Sequence, residues 1–182
     1  MDLKKKHQEL ENCTLFQEWK HEHPTAYLVH FFCINEDEVQ IAYYEQEQDA
    51  ITTFTLGKTF TKTVDKEILK EHKHIPTLHI EKVGITEDGA KEAALSLQKQ
   101  KYSGDQITKQ IIVLQTIDNE AIYNMTFVTM TFKMWNVRVN AMSGKIIFEQ
   151  MRSLMDLAAT IESKKTSAAM GGAHESRNSQ TR

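Results

Sequence analysis

The period of apolar and polar positions changes along this chain, and the changes mark its elements. In TLFQEWKHE (14 to 22), Leu15, Phe16 and Trp19 share a face at helical spacing. Thr14 with Gln17 three positions on predicts a helix start whose free amides are satisfied reciprocally, and Pro24 ends the element. AYLVHFFCI (26 to 34) is apolar on both faces, which predicts a central strand. After the acidic turn NEDE, VQIAYY (39 to 44) sets Val39, Ile41 and Tyr43 against Gln40. AITTFTL (50 to 56) is rich in β-branched residues and closes at Gly57.

Residues 58 to 80 show no clean period. DKEILKEH predicts a short helix, Pro76 breaks what precedes it, and LHIEKVGI reads as a strand or an extended connector. Thr86 then caps a helix over 87 to 102, with acids at its start and lysines towards its end as the helix dipole favours. Ala90, Ala93, Ala94, Leu97 and Lys101 trace one face of it, and Gly104 stands where a left-handed cap is expected. Strands are predicted over 107 to 117, 122 to 132, 135 to 141 and 145 to 151. In the second of these the apolar parity shifts after Phe127, which calls for a bulge there or for burial of both faces. SLMDLAATIE (153 to 162) predicts a last helix, and the final twenty residues are too poor in apolar side chains to build a core.

The order is helix then antiparallel strands, twice over, which predicts an α+β fold and suggests an internal duplication. The expected units are an N-terminal α+β unit over 1 to 80, a second over 81 to 162, and a disordered tail over 163 to 182.

Composition refines this picture. With 182 residues, 40% hydrophobic and 26% charged, the chain can bury an ordinary core without disulfides or metals. A net charge of −3 speaks against a nucleic-acid module. No apolar run follows the lysines of MDLKKKHQELEN, and no segment has the length of a membrane helix, so a cytoplasmic protein with no membrane contact is expected. Cys13 and Cys33 fit a reducing compartment, and Cys33 lies in an apolar run that suits a buried, inert thiol.

VGITEDGAKEAALSLQKQKYSG, IYNMTFV and WNVRVNAMSGKIIFEQ together resemble the PepSY family of small α+β domains, over about residues 83 to 151. The family's closing hairpin reads approximately V-x-V-D-A-x-T-G-K-V-L. This chain has Asn140 in place of the Asp, Ser143 in place of the Thr, and Gly144 at the turn. The resemblance implies a non-enzymatic role of the kind PepSY domains play, in propeptides and in inhibition or accessory regulation of peptidases. It brings no catalytic residues with it.

Chemistry-bearing residues are scattered. His21 and His23 are two apart, as are His72 and His74, with His79 further on. No Cys pair, HExxH or carboxylate set stands at a ligand spacing, so neither a metal nor another cofactor is expected. Nucleophile-elbow and phosphate-loop motifs are absent from the sequence, and Glu36, Asp37 and Glu38 read as a solvated turn. Phe31, Phe32, Tyr43, Tyr44 and Phe54 fall on neighbouring strands, where packing accounts for most of them. The resulting expectation is a binding or regulatory protein with a protein or peptide partner, acting through a sheet edge or a helix–sheet groove. The alternative is a small-ligand pocket or minor enzyme built on His30, Tyr43 and Tyr44, and a hollow or filled helix–sheet interface separates the two. The oligomeric state stays open.

Overall fold

Eight strands form one antiparallel sheet in the order β4-β3-β2-β1-β5-β6-β7-β8. The computed structural model describes residues 1–34, 38–65 and 75–155. Its helices are α1 (Leu3–Glu11), α2 (Thr14–Glu22) and α3 (Glu87–Lys101). The strands are β1 (Tyr27–Ile34), β2 (Glu38–Glu45), β3 (Ala50–Leu56), β4 (Phe60–Asp65), β5 (Ile107–Ile117), β6 (Glu120–Thr129), β7 (Lys133–Asn140) and β8 (Ile146–Ser153). The fold is therefore α+β. The strands of both halves share one sheet, because β1 pairs with β5 from His30↔Gln115 to Ile34↔Ile111.

Strand parity decides where the core lies. Phe31, Ile41, Phe54, Leu114, Tyr123, Met125, Phe127, Trp135, Val137 and Val139 face one side and are fully buried with Leu3, Leu10, Phe16 and Trp19 from α1 and α2 and Ala90 and Ala94 from α3. The two alanines let α3 approach closely, and its last turn is tied down by Glu149 of β8. That carboxylate accepts from Lys101 Nζ (2.5 Å), Tyr102 Oη (3.1 Å) and Trp135 Nε1 (3.2 Å). A second, smaller cluster on the other side gathers Val29, Ala42 and Tyr44, with Tyr27, Ile51 and Ile75 packed against it. Among the described residues no helix contributes to it.

Several expectations need correction. The N-terminal lysines belong to a helix, α1, whose Leu3 and Leu10 lie two turns apart and are buried; the reading of that stretch had looked only for an apolar run. α2 starts one residue before the expected cap. Cys13 is its N-cap and makes no side-chain bond, while Gln17 donates to the carbonyl of Glu11 (3.0 Å). Leu15 is 60% exposed, because only Phe16 and Trp19, three positions apart, point at the sheet. Residues 60 to 65 form a strand that was not foreseen. Gly104 is not left-handed; α3 ends at Tyr102, whose amide reaches back to the carbonyl of Gln98. The parity shift after Phe127 is not double burial: β6 ends at Thr129, and Met130 and Phe132 belong to the turn that follows. Its register with β7 is unbroken, whereas its register with β5 shifts at Thr108, opposite Val128 and Thr129 and so just past Phe127. Irregular pairing also falls near Val29 and Ile147.

Other expectations hold. β1 is central, Thr86 Oγ1 accepts from the Gly89 amide (3.3 Å), and Gly144 has φ +74°. Asn140 Oδ1 accepts from the amides of Met142 (3.1 Å) and Ser143 (2.9 Å), as the turn chemistry predicts. The short helix expected over 65 to 72, most of the one expected over 153 to 162, and the tail over 163 to 182 lie outside the described residues.

Val139 is fully buried and Arg138 points to the other side, with its guanidinium 5.0 Å from the Phe148 ring. Val139→Asp forces a carboxylate into the core and should cost about 3 kcal/mol or more. Arg138→Ser loses only an exposed cation–π contact and should stay within about 1 kcal/mol. Urea melts of both variants check the assignment, and equal midpoints would refute it. Glycines give a second contrast. A Cβ on Gly84 would stand 2.4 Å from the Met142 carbonyl oxygen, whereas one on Gly104 would meet nothing within 4 Å. Gly84→Ala should therefore destabilise by about 1–3 kcal/mol, and Gly104→Ala should be neutral or slightly stabilising.

Candidate functional site

Among the described residues, aromatic rings pack the space between helices and sheet. Between α1, α2 and the sheet, Trp19 and Phe16 meet Phe54 edge-on at 4.9 Å and 5.2 Å and pack on Tyr43. Between α3 and the sheet, Phe127 stacks on Trp135 (5.2 Å) and Tyr102 meets Trp135 edge-on. Sites for another molecule lie at the surface.

The most built of these lies where β4 extends past α2. Phe60, Lys62 and Val64 of β4 stand opposite Leu56, Phe54 and Thr52 and so face the helix side. Phe60 stacks on Phe54 at 6.0 Å. A groove of about 230 Å³ results, with Trp19, Phe54 and Phe60 as its aromatic part. Leu15, Glu18 and Glu22 line it from one face of α2, and Lys62 lines it from β4. Leu15 and Val64 are exposed apolar residues at its margins. Phe60 also borders a wider depression of about 640 Å³ that includes Lys6, Glu9, Glu38 and Lys58. β4 pairs with β3 alone among the described strands, so its outer row of amides and carbonyls borders this groove.

The expected pocket residues do not come together. Tyr43 points into the helix-side core, whereas Tyr44 belongs to the cluster on the other side. His30, opposite Ala42, is on the Tyr44 side. The alternation of a strand makes this separation unavoidable for adjacent residues. Tyr43 Oη bonds His7 Nε2 (2.8 Å), and His7 Nδ1 lies 3.5 Å from Glu11. This relay is enclosed in packing and ties α1 to β2. Burial holds the Tyr43 hydroxyl well above its ordinary range, with Glu11 adding to the effect. Tyr44 Oη donates to Asp49 Oδ1 (2.8 Å).

The histidines are likewise dispersed. His23 Nδ1 bonds Glu45 Oε2 (2.7 Å) under the stacked Trp19 ring, closing the end of α2 onto β2. His79 pairs with Glu81 (3.0 Å), His21 is exposed, and His72 and His74 lie outside the described residues. No three potential ligands converge among the described residues. The Cys33 thiol is buried and pushed up to about 12, chiefly by desolvation, which leaves it unreactive. Glu87 is buried at the start of α3 with its carboxyl pushed up by desolvation, 3.4 Å from the Met1 amine.

His7 and His30 both titrate below their ordinary 6.5, and burial is the main cause in each. Below that value the unfolded chain takes up protons that the folded chain refuses, so stability falls as pH drops through it and is unaffected above it. Melting temperature should decline between about pH 7 and about pH 5.5, and His7→Gln should flatten that decline. Identical slopes for the variant and the parent would remove His7 from the account.

No protein-family model matches this chain, and no curated protein matches it either. In fold it is similar to a putative lipoprotein from Clostridium difficile 630, with a TM-score of 0.53 and 11% sequence identity. The similarity covers 76% of this chain and 90% of that one, and at this identity it concerns the fold alone.

Proposed function

We propose that this protein is a non-enzymatic binding or regulatory module of PepSY-like build that takes an extended protein segment along β4. The observation that carries the reading is the juxtaposition of a free sheet edge with an aromatic-floored groove. An extended peptide added to β4 would gain main-chain hydrogen bonds there, and every second side chain would point towards the groove. The filled helix–sheet interface supports a surface mode of binding over an enclosed small-ligand site. The PepSY-like segment, 83 to 151, supplies α3 and β5 to β8, and the groove lies in the other half. On this reading the two halves are related helix-plus-strand units, the first adapted for contact and the second for support.

The lining sets the expected ligand. Aromatic and aliphatic side chains suit Trp19, Phe54 and Phe60, while Glu18 and Glu22 favour a basic residue nearby. A random peptide library should therefore yield extended sequences with an apolar residue beside a Lys or Arg. Leu15→Glu and Val64→Asp, both at exposed positions, should each weaken the selected peptides about tenfold or more with unchanged melting temperature. Peptides that bind both variants as well as the parent would refute the site.

A further inference from the structure

The turn between β6 and β7 carries the least expected conformation in the chain. Phe132 has φ +56°. The other non-glycine residues with positive φ among the described residues are Asp49, Asp118 and Asn119, whose short polar side chains tolerate it. A bulky ring does not, and Phe132 recovers nothing by burial, being 66% exposed. Met130 (60%) and Met155 (75%) are exposed as well. Met130 lies two residues before it in the same turn, anchored by its amide to the Gln106 carbonyl, and the Leu154 amide, next to Met155, donates to the Phe132 carbonyl, each bond 2.9 Å.

The turn is held firmly in that shape. Asp105 accepts from Thr131 Oγ1 (2.5 Å) and Lys133 Nζ (3.1 Å), and Thr129 Oγ1 accepts from the Lys133 amide (3.2 Å). Fixed strain together with an unburied aromatic ring marks a contact residue. Lys109, opposite Val128, and Arg152, opposite Met134, flank the turn and are exposed. Neither has an ion-pair partner among the described residues. With Lys133 neutralised by Asp105, the tip is an apolar knob with a positive rim in a chain of net charge −3.

We propose that the β6–β7 turn of one copy of this chain seats in the α2–β4 groove of another, so that copies associate head to tail. The proposal rests on the groove being a binding site, and its occupant uses the aromatic floor and the acids of that groove, not the β4 edge. The groove has the complementary character: an aromatic floor, the acids Glu18 and Glu22, and the single cation Lys62. A copy cannot fill its own groove. The turn joins the sixth and seventh strands of the sheet order and the groove lies at the first, roughly 25 Å away at the usual strand spacing. Different patches meet in such a contact, so copies add head to tail into a ring or an open series and not into a two-fold pair. Being small, it is weak and concentration-dependent.

Sedimentation over a range of protein concentrations should show the average mass of the parent chain rising with concentration above that of one copy. Phe132→Asn relieves the strain and removes the ring, so it should melt no lower than the parent yet remain monomeric. Leu15→Glu blocks the groove and should also be monomeric. Mixed, the two variants should form a one-to-one pair, because the first keeps an intact groove and the second an intact knob. A parent that stays monomeric throughout, association that survives Phe132→Asn, or a mixture that stays monomeric would each overturn the proposal. Library peptides binding Phe132→Asn but not Leu15→Glu would then leave the groove standing with a different occupant.

Discussion

The pairing of β1 with β5 is the contact on which the rest of the molecule depends. Each half is a four-stranded meander with a helical face, and alone each would expose a long edge. Joined through Phe31↔Leu114 and Cys33↔Ile112, they present one continuous face on which α1, α2 and α3 can all lie. The seam runs through the most apolar strand of the chain, buried on both sides by different neighbours. On one side are the helices; on the other Val29 packs with Ala42 and Tyr44. The irregular pairing at Val29 lets β1 serve both. It places Leu28 in the helix-side core and Val29 opposite it before normal alternation resumes with Phe31.

Legibility in the sequence followed burial. Strands β5 and β7 and helix α3 have a buried face and fall within two residues of their expected bounds, whereas β6 ends three residues before its expected end. β1 was recognisable as central because it is buried on both sides. β4 has five of its six residues exposed, so FTKTVD carries no apolar period, and the groove that depends on it was invisible with it. α1 was missed for a related reason. Its burial rests on Leu3 and Leu10 alone, too few for a stripe. Leu15 shares a helical face with Phe16 and Trp19 by spacing, yet only Phe16 and Trp19 of the three are buried. The groove was thus unreadable where its residues are exposed. Its floor, Trp19 and Phe54, was readable only as core.

The trio His30, Tyr43 and Tyr44 shows the opposite limit. These residues are close in sequence and lie on paired strands, but adjacency along a strand puts side chains on opposite faces. Tyr43 and Tyr44 satisfy their hydroxyls in different compartments, one through His7 and the other through Asp49. A site that drew on both would have to cross the sheet.

The two edges of the sheet are not equivalent, and the difference bears on where a partner can bind. β8 pairs irregularly with β7, where Arg138↔Phe148 gives way to Val139↔Ile146 and leaves Ile147 without a partner. An extra residue twists an edge away from further pairing. Its Glu149 is committed to Lys101, Tyr102 and Trp135. β4 keeps six consecutive pairs with β3, from Leu56↔Phe60 to Ile51↔Asp65, without interruption. A regular edge is the better template for an added strand, and among the described residues β4 is guarded by its shortness and by Lys62 alone. The protected edge thus belongs to the half built from α3 and β5 to β8, and the open one to the half whose helix α2 leaves its aromatic floor in reach.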